Sequence, residues 1–136
     1  YGKNGFVQYQ FVLPLEAKAG LVEILNRISN KGLGSFLAVL KVFGKQESII
    51  SFPKEGYTLA LDFPVKPGLL EFLDELDQVV LRYGGRLYMS KDARMKPEVL
   101  QSGYPDLGKF KDIVRKYNPD GRIHSLQSDR LFLTSN

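Results

Sequence analysis

The chain is 136 residues long, 43% hydrophobic and 25% charged, which suits one domain with its own core and argues against a disordered or two-domain reading. It has no cysteine and one histidine, His124, so disulfides, thiolate nucleophiles and cysteine metal sites are excluded, and a histidine cluster or a Ser/His/Asp triad has no candidate to spare. The net charge of +4 is too mild to imply nucleic acid, although residues 82–136 hold eleven basic against six acidic side chains while residues 1–81 sit at −1.

The opening Tyr1-Gly2-Lys3-Asn4-Gly5 has no methionine and no signal-peptide character, and the expectation is a piece of something longer. Phe6 to Leu13 is rich in β-formers and closed by Pro14, which predicts a first strand. Between Leu15 and Lys31, Leu21, Ile24, Leu25 and Ile28 fall at helical spacing, and Gly32 ends that helix. Phe36 to Phe43, between Gly34 and Gly44, predicts a second strand. Ser48 to Phe52 reads either as a short edge strand or as loop. Gly56 to Phe63 alternates cleanly as a third strand, with Tyr57, Leu59, Leu61 and Phe63 on one face and Thr58, Ala60 and Asp62 on the other. From Pro67 the stripe Leu69, Phe72, Leu73, Leu76, Val79, Val80, Tyr83 predicts a helix ending at Gly84-Gly85, with Glu71, Asp74, Glu75 and Asp77 on its wet side. These acids also interrupt the apolar stretch, and no segment approaches the roughly 20 apolar residues of a membrane crossing. Arg86 to Met89 is a fourth strand, and Lys109 to Tyr117 a basic helix with Phe110, Ile113, Val114 and Tyr117 inward.

Strand, helix, strand, strand, helix, strand is the order of a ferredoxin-like α+β sandwich, a four-stranded antiparallel sheet with both helices on one face. The other face is then bare, with residues 90–136 as a C-terminal helical extension that crosses or extends it. By parity the bare face carries Gln8 and Gln10 from strand one, Thr58, Ala60 and Asp62 from strand three, and Lys41 and Phe43 from strand two, with Lys91 just past strand four. One reading is a solvated sheet face. The other is a hydrogen-bonding platform for a polyhydroxyl or anionic ligand, since amides and lysines beside an aromatic are suited to that task. Gly32-Leu33-Gly34 leaves a helix instead of entering one and reads as a turn, His124 as a surface residue. The basic face of Lys109, Lys111, Arg115 and Lys116 is either solvated or a surface for an acidic partner. RNA-recognition domains share the strand order, but Tyr57 sits on the wrong face to stack bases and Asp62 would repel phosphate.

The segments Gln8–Pro14, Leu40–Gly44, Leu61–Pro64 and Gly84–Arg94, with Phe110–Ile123 behind them, resemble the C-terminal substrate domain of FAD-linked oxidases of the vanillyl-alcohol oxidase type. Within that type the likeness is to oxidases of polyprenyl-phosphate-linked ribose. It runs through nearly all of the chain, and the family's ferredoxin-like topology agrees with the element order. The resemblance implies that residues 1–136 form one substrate (cap) domain, that an N-terminal domain holding most of the FAD lies upstream of residue 1, and that this fragment alone is inactive. It implies a substrate pocket lined by Gln8, Gln10, Lys41, Phe43, Thr58 and Ala60, a catalytic Lys91, and Tyr88 against the cofactor. Thr58 and Ala60 stand where actinobacterial members that act in epimerisation have Asn and Cys, which implies a different pocket shape. No metal is implied.

The implied reaction oxidises a sugar carbinol to a ketone by hydride transfer to flavin N5. A free lysine, with a pKa of about 10.4, would orient the hydroxyl or stabilise negative charge; as a base it would need that value lowered by roughly three units. The implied partners are the sugar or polyprenyl-phosphate-sugar substrate, the chain's own FAD domain and a separate NAD(P)H-dependent reductase that completes an epimerisation. The implied location is cytoplasmic or peripheral to a membrane. A reading of another class is a stand-alone ferredoxin-like ligand-binding or dimerisation module without redox activity.

Overall fold

In the computed structural model residues 3–35, 37–46 and 48–134 are described; Tyr1, Gly2 and the expected start of strand two at Phe36 lie outside them. β1 (Phe6–Leu13) alternates as its sequence predicts, turning Tyr9, Phe11 and Leu13 into the core. Pro14 has no N–H to extend the ladder, and the chain leaves through a short 3-10 turn, Leu15–Ala17, into α1 (Lys18–Asn30). α1 buries Leu21, Ile24 and Ile28 but leaves Leu25 largely exposed, so its apolar face is narrower than the spacing suggested.

β2 (Ala38–Phe43) and β3 (Gly56–Pro64) follow, then α2 (Leu69–Arg82) and the two-residue β4 (Arg86–Leu87). The sheet order is β2-β3-β1-β4, antiparallel throughout, the topology of two interleaved βαβ units. α2 packs Leu69, Phe72, Leu73, Leu76, Val79 and Val80 against the sheet. Burial of each such side chain contributes on the order of 1.5–3 kcal/mol, so packing holds this helix more than its own propensity does. Gly84, at φ 70°, closes α2. A Cβ on Gly85 would lie 2.4 Å from the Val12 carbonyl oxygen, so glycine there lets the chain run close beside β1 into β4.

Three expectations are corrected, and the open reading of residues 48–52 resolves to loop. Asp77 is not on the wet side of α2 but almost fully buried. β4 ends at Leu87 because Met89–Lys91 wind into a 3-10 turn. The segment 48–52 forms no strand: Ile49 and Ile50 lie in a turn, and Phe52 folds back over the sheet. In α4 (Leu107–Tyr117), Ile113 and Tyr117 are exposed, and Leu107 is the fully covered residue. The C-terminal extension also contains two helices that the sequence reading missed, α3 (Pro97–Gly103) and α5 (Leu126–Arg130). α3 packs on α2 and β4, and Met95, Val99, Leu100, Tyr104 and Leu131 join the core. The extension therefore enlarges the sheet's β4 side and does not cross the bare face. Among the described residues, no helix is long and apolar enough to cross a membrane.

Candidate functional site

Pairing fixes which side chains share the face away from α1 and α2. Gln8 opposes Asp62 and Gln10 opposes Ala60 across β1 and β3; Lys41 opposes Thr58 and Val39 opposes Ala60 across β2 and β3. Residues paired across antiparallel strands point the same way, so these six stand on one surface with Val39. A concavity of about 110 Å³ opens there, lined by Gln8, Gln10, Leu37, Val39, Lys41, Ala60, Asp62 and Lys91. Five of the eight residues singled out from the sequence thus meet at one place: Gln8, Gln10, Lys41, Ala60 and Lys91.

The other three lie beside it. Phe43 meets Phe52 edge-on with centroids 5.9 Å apart, and Phe52 stacks on Tyr88 at 4.4 Å. This aromatic block covers the sheet toward the Leu13 end of β1, where Val12 and Thr58 are sealed although their side chains belong to the bare face. Half of that face is consequently roofed. Thr58, 1% exposed, does not line this concavity; it supports a residue that does.

The support is directional. The Thr58 hydroxyl donates to the Phe11 carbonyl at 2.8 Å, so its oxygen receives the Gln10 side-chain N–H at 3.1 Å. Asp62 accepts from the Gln8 amide nitrogen at 3.0 Å. A carboxylate only accepts, and a hydroxyl whose hydrogen is committed can only accept from elsewhere. Both glutamines therefore turn nitrogen toward β3 and keep an amide oxygen to offer. With the Lys41 and Lys91 ammonium groups as donors, the concavity presents acceptors and donors together, the complement of vicinal hydroxyls.

The backbone around Lys91 is held from two sides. On one, Arg94 forks onto Asp77 at 2.7 and 2.9 Å and reaches Asp74 at 2.5 Å, while the Tyr9 hydroxyl donates to Asp77 at 3.0 Å. Burial raises the Asp77 carboxyl above its ordinary value, against the lowering pull of Arg94 and Tyr9. On the other, Arg130 of α5 pairs with Asp92, and Gln127 donates to the Met89 carbonyl at 2.7 Å. Asp92 in turn accepts the backbone N–H of Arg94 and Met95. The turn that carries Lys91 is clamped between α2 and α5.

Sequence reasoning missed Phe52, Asp77, Arg94 and the α5 contacts. Asp77 was findable, because it lies four residues after Leu73 and three before Val80 on the buried stripe. Phe52 left no periodic signal. His124 is an exposed residue paired with Asp129 at 2.9 Å, away from the concavity.

No family model matches the chain. The chain is 44% identical over 134 residues to decaprenylphosphoryl-beta-D-ribose oxidase of Mycolicibacterium smegmatis, covering 98% of this chain and 29% of that protein. It is 32% identical over 132 residues to a Streptomyces coelicolor protein described only as an uncharacterized protein in the mprA 5′ region, covering 96% of this chain and 36% of the other. It thus spans about a third of the length of the relatives it matches. Nearly the whole chain is related to one part of decaprenylphosphoryl-β-D-ribose oxidase, in keeping with a C-terminal domain of that oxidase.

Proposed function

We propose that this chain is the substrate-binding part of an FAD-dependent oxidoreductase that converts a hydroxyl of a polyprenylphosphoryl-ribose-like sugar to a ketone. The observation that carries the reading is the meeting of Gln8, Gln10, Lys41, Ala60 and Lys91 around one concavity on the open sheet face. The name of the 44% identical relative supports the same chemistry.

The residues present fit a flavin in a limited way. The exposed sheet surface, with Tyr88 stacked on Phe52 at its edge and Lys91 beside the concavity, suits a cover over a flat ring that gains negative charge. A glycine-rich phosphate cradle between a strand and a helix is absent among the described residues, since Gly84-Gly85 leads out of α2 into β4. The dinucleotide's phosphates are therefore assigned to a separate domain. When bound, flavin supplies the acceptor for the hydride that leaves the carbinol carbon, at N5.

The chain's own side chains bind and orient. The amide oxygens of Gln8 and Gln10 accept from sugar hydroxyls, and Lys41 donates to a ring or hydroxyl oxygen. Lys91 donates to the reacting hydroxyl oxygen, whose own proton passes to water as the hydride leaves the carbon, and stabilises charge that develops beside it. In the full-length protein, Lys91→Ala is expected to slow substrate-dependent flavin bleaching by about 100-fold or more while FAD stays bound at unchanged stoichiometry. Unchanged bleaching kinetics would take Lys91 out of the mechanism.

One observation favours a second reading, a stand-alone ligand-binding or dimerisation module. β2 is a free edge strand whose other face exposes Leu40 and Val42, at 56% and 64%. Sedimentation of the full-length protein separates the two: a flavin-loaded monomer leaves no place for the dimer.

A further inference from the structure

Lys91 is rooted in a segment with little means of holding its own shape. β4 ends at Leu87, and the turn Met89–Lys91 is closed by two local bonds, Lys91 N–H to the Tyr88 carbonyl and Asp92 N–H to the Met89 carbonyl, each at 3.1 Å. Bonds of this 3-10 type are poorly aligned, and such runs stay short. The near end of the turn is tied to the sheet, because the Tyr88 N–H donates to the Gln10 carbonyl at 2.9 Å. The far end lies beyond the β1–β4 ladder.

Asp92 fixes that far end. One of its oxygens accepts the backbone N–H of Arg94 at 2.8 Å and of Met95 at 2.5 Å. The other meets the Arg130 guanidinium, from α5, 38 residues further along the chain. The Asp92 side chain is 7% exposed, and among the described residues Arg130 is its one ion-pair partner. A carboxylate buried to that extent is costly without its cation. The Arg130 Nε is itself buried without a hydrogen-bond partner, a cost that the pairing with Asp92 has to offset.

Three residues earlier, on the same face of α5, Gln127 donates to the Met89 carbonyl at 2.7 Å. α5 therefore grips the chain two residues before Lys91 and one residue after it. So short a helix can do this because Ser125 and Ser128 close a capping box at its start and Leu131, just past its end, is buried in the core. Neither Gln127 nor Arg130 lines the polar concavity, whereas Lys91 does. A lysine carries its ammonium on a flexible stem, so its reach and angle depend on where the stem is rooted. A displacement of about 1 Å in a reacting group can cost on the order of 100-fold in rate.

We propose that Arg130 and Gln127 are positioning residues: through Asp92 and the Met89 carbonyl they set the backbone from which the Lys91 ammonium reaches the concavity. The consequence for turnover rests on the function proposed above; the grip on the turn does not.

The test uses the full-length protein with FAD bound and has two arms, flavin bleaching by farnesylphosphoryl ribose and amide hydrogen exchange without substrate. Arg130→Met is expected to slow bleaching at saturating substrate by about tenfold or more, while the half-saturating concentration stays within about threefold. Arg130→Lys, which keeps the charge, should recover most of that rate. In Arg130→Met the amides of residues 89–95 should exchange about tenfold faster, and those of α1 and α2 should exchange as in the parent. Gln127→Leu strands no charge and should move both readouts the same way by about threefold, so the grip is tested even where Arg130→Met folds poorly. Ile28→Ala, in the core under α1, serves as the comparison: it lowers the melting temperature without touching the turn, and it should leave bleaching and exchange at 89–95 as in the parent. Parent-like bleaching and exchange in the Arg130 and Gln127 variants overturn the proposal. So does a loss that Ile28→Ala reproduces, since the role of α5 is then general stability. A parent protein that farnesylphosphoryl ribose does not bleach overturns the function proposed above, and the exchange arm alone then decides whether α5 sets the turn.

Discussion

Tyr9 and Gln10 are neighbours on β1 and point to opposite faces of the sheet, and each belongs to a polar cluster. Beneath the sheet, the Tyr9 hydroxyl, Asp77 and Arg94 form a closed set: Asp77 is 1% exposed, and its two oxygens meet a forked guanidinium and a phenol. Above the sheet, Gln10 with Thr58, and Gln8 with Asp62, form sets in which one end of each amide is committed and the other is not. A cluster whose donors and acceptors are consumed internally holds structure together. One that retains unspent acceptors on a concave surface is equipped to receive something else. The polar groups of this chain thus divide along a single strand, at alternate residues, into a closed set and an open one.

The largest expected effect comes from breaking the closed set. Asp77→Ala leaves the Arg94 guanidinium, itself mostly buried, with Asp74 as its remaining carboxylate. A buried charge stripped of its principal partner costs about 3–5 kcal/mol, readable as a lower denaturant midpoint at unchanged slope. Replacing both partners, Asp77→Leu with Arg94→Met, should recover most of that loss, because no unpaired charge remains. A cost below about 1 kcal/mol for Asp77→Ala would mean that the closed set is not what anchors the Lys91 turn to α2.

Much of the fold was legible because it rests on periodicity. The bounds of β1, the parity that sends Gln8 and Gln10 one way and Tyr9 and Phe11 the other, and the buried stripe of α2 follow from spacings of two and three to four residues. The parity also puts Gln8, Gln10, Lys41 and Ala60 on one face, and the position of Lys91 just past the fourth strand brings it to the same concavity. What escaped was aperiodic. Phe52 reaches the sheet from a turn, α3 and α5 are only seven and five residues long, and α5 starts from a capping box, Ser125 with Ser128, inside a polar stretch. Asp77 escaped for another reason: its charge outweighed its place on the stripe, although burial beside an arginine resolves that conflict.

A smaller effect distinguishes the two clusters by pH. Burial, and then the Asp77 charge, push the Tyr9 phenol well above the ordinary tyrosine value of 10.0, and burial also pushes Tyr104 up. Both raised values belong to the folded state, so their contribution to stability is complete below pH 10 and is lost as the pH climbs beyond it, when the unfolded chain ionises first. Urea midpoints should therefore be insensitive to these groups up to about pH 10 and fall above it. Tyr9→Phe should shallow that fall. The corresponding changes above the sheet, in Gln8 or Gln10, should not alter it, since an amide does not titrate. Equal alkaline slopes in the parent and Tyr9→Phe would show that the phenol is not sealed in the folded protein.

The smallest expected change in stability falls on the opposite face and carries the largest change in binding. Gln10→Leu removes a half-exposed amide whose partner, the Thr58 hydroxyl, keeps its own bond to the Phe11 carbonyl. No buried donor is orphaned, so the cost to folding is expected to stay within about 1 kcal/mol. What disappears is the acceptor that Thr58 orients toward the concavity. Ribose binding at the concavity should weaken by about fivefold or more. If Gln10→Leu instead destabilises the fold as much as Asp77→Ala and leaves the ribose titration untouched, the upper cluster is structural like the lower one, and the division of roles between the two faces fails.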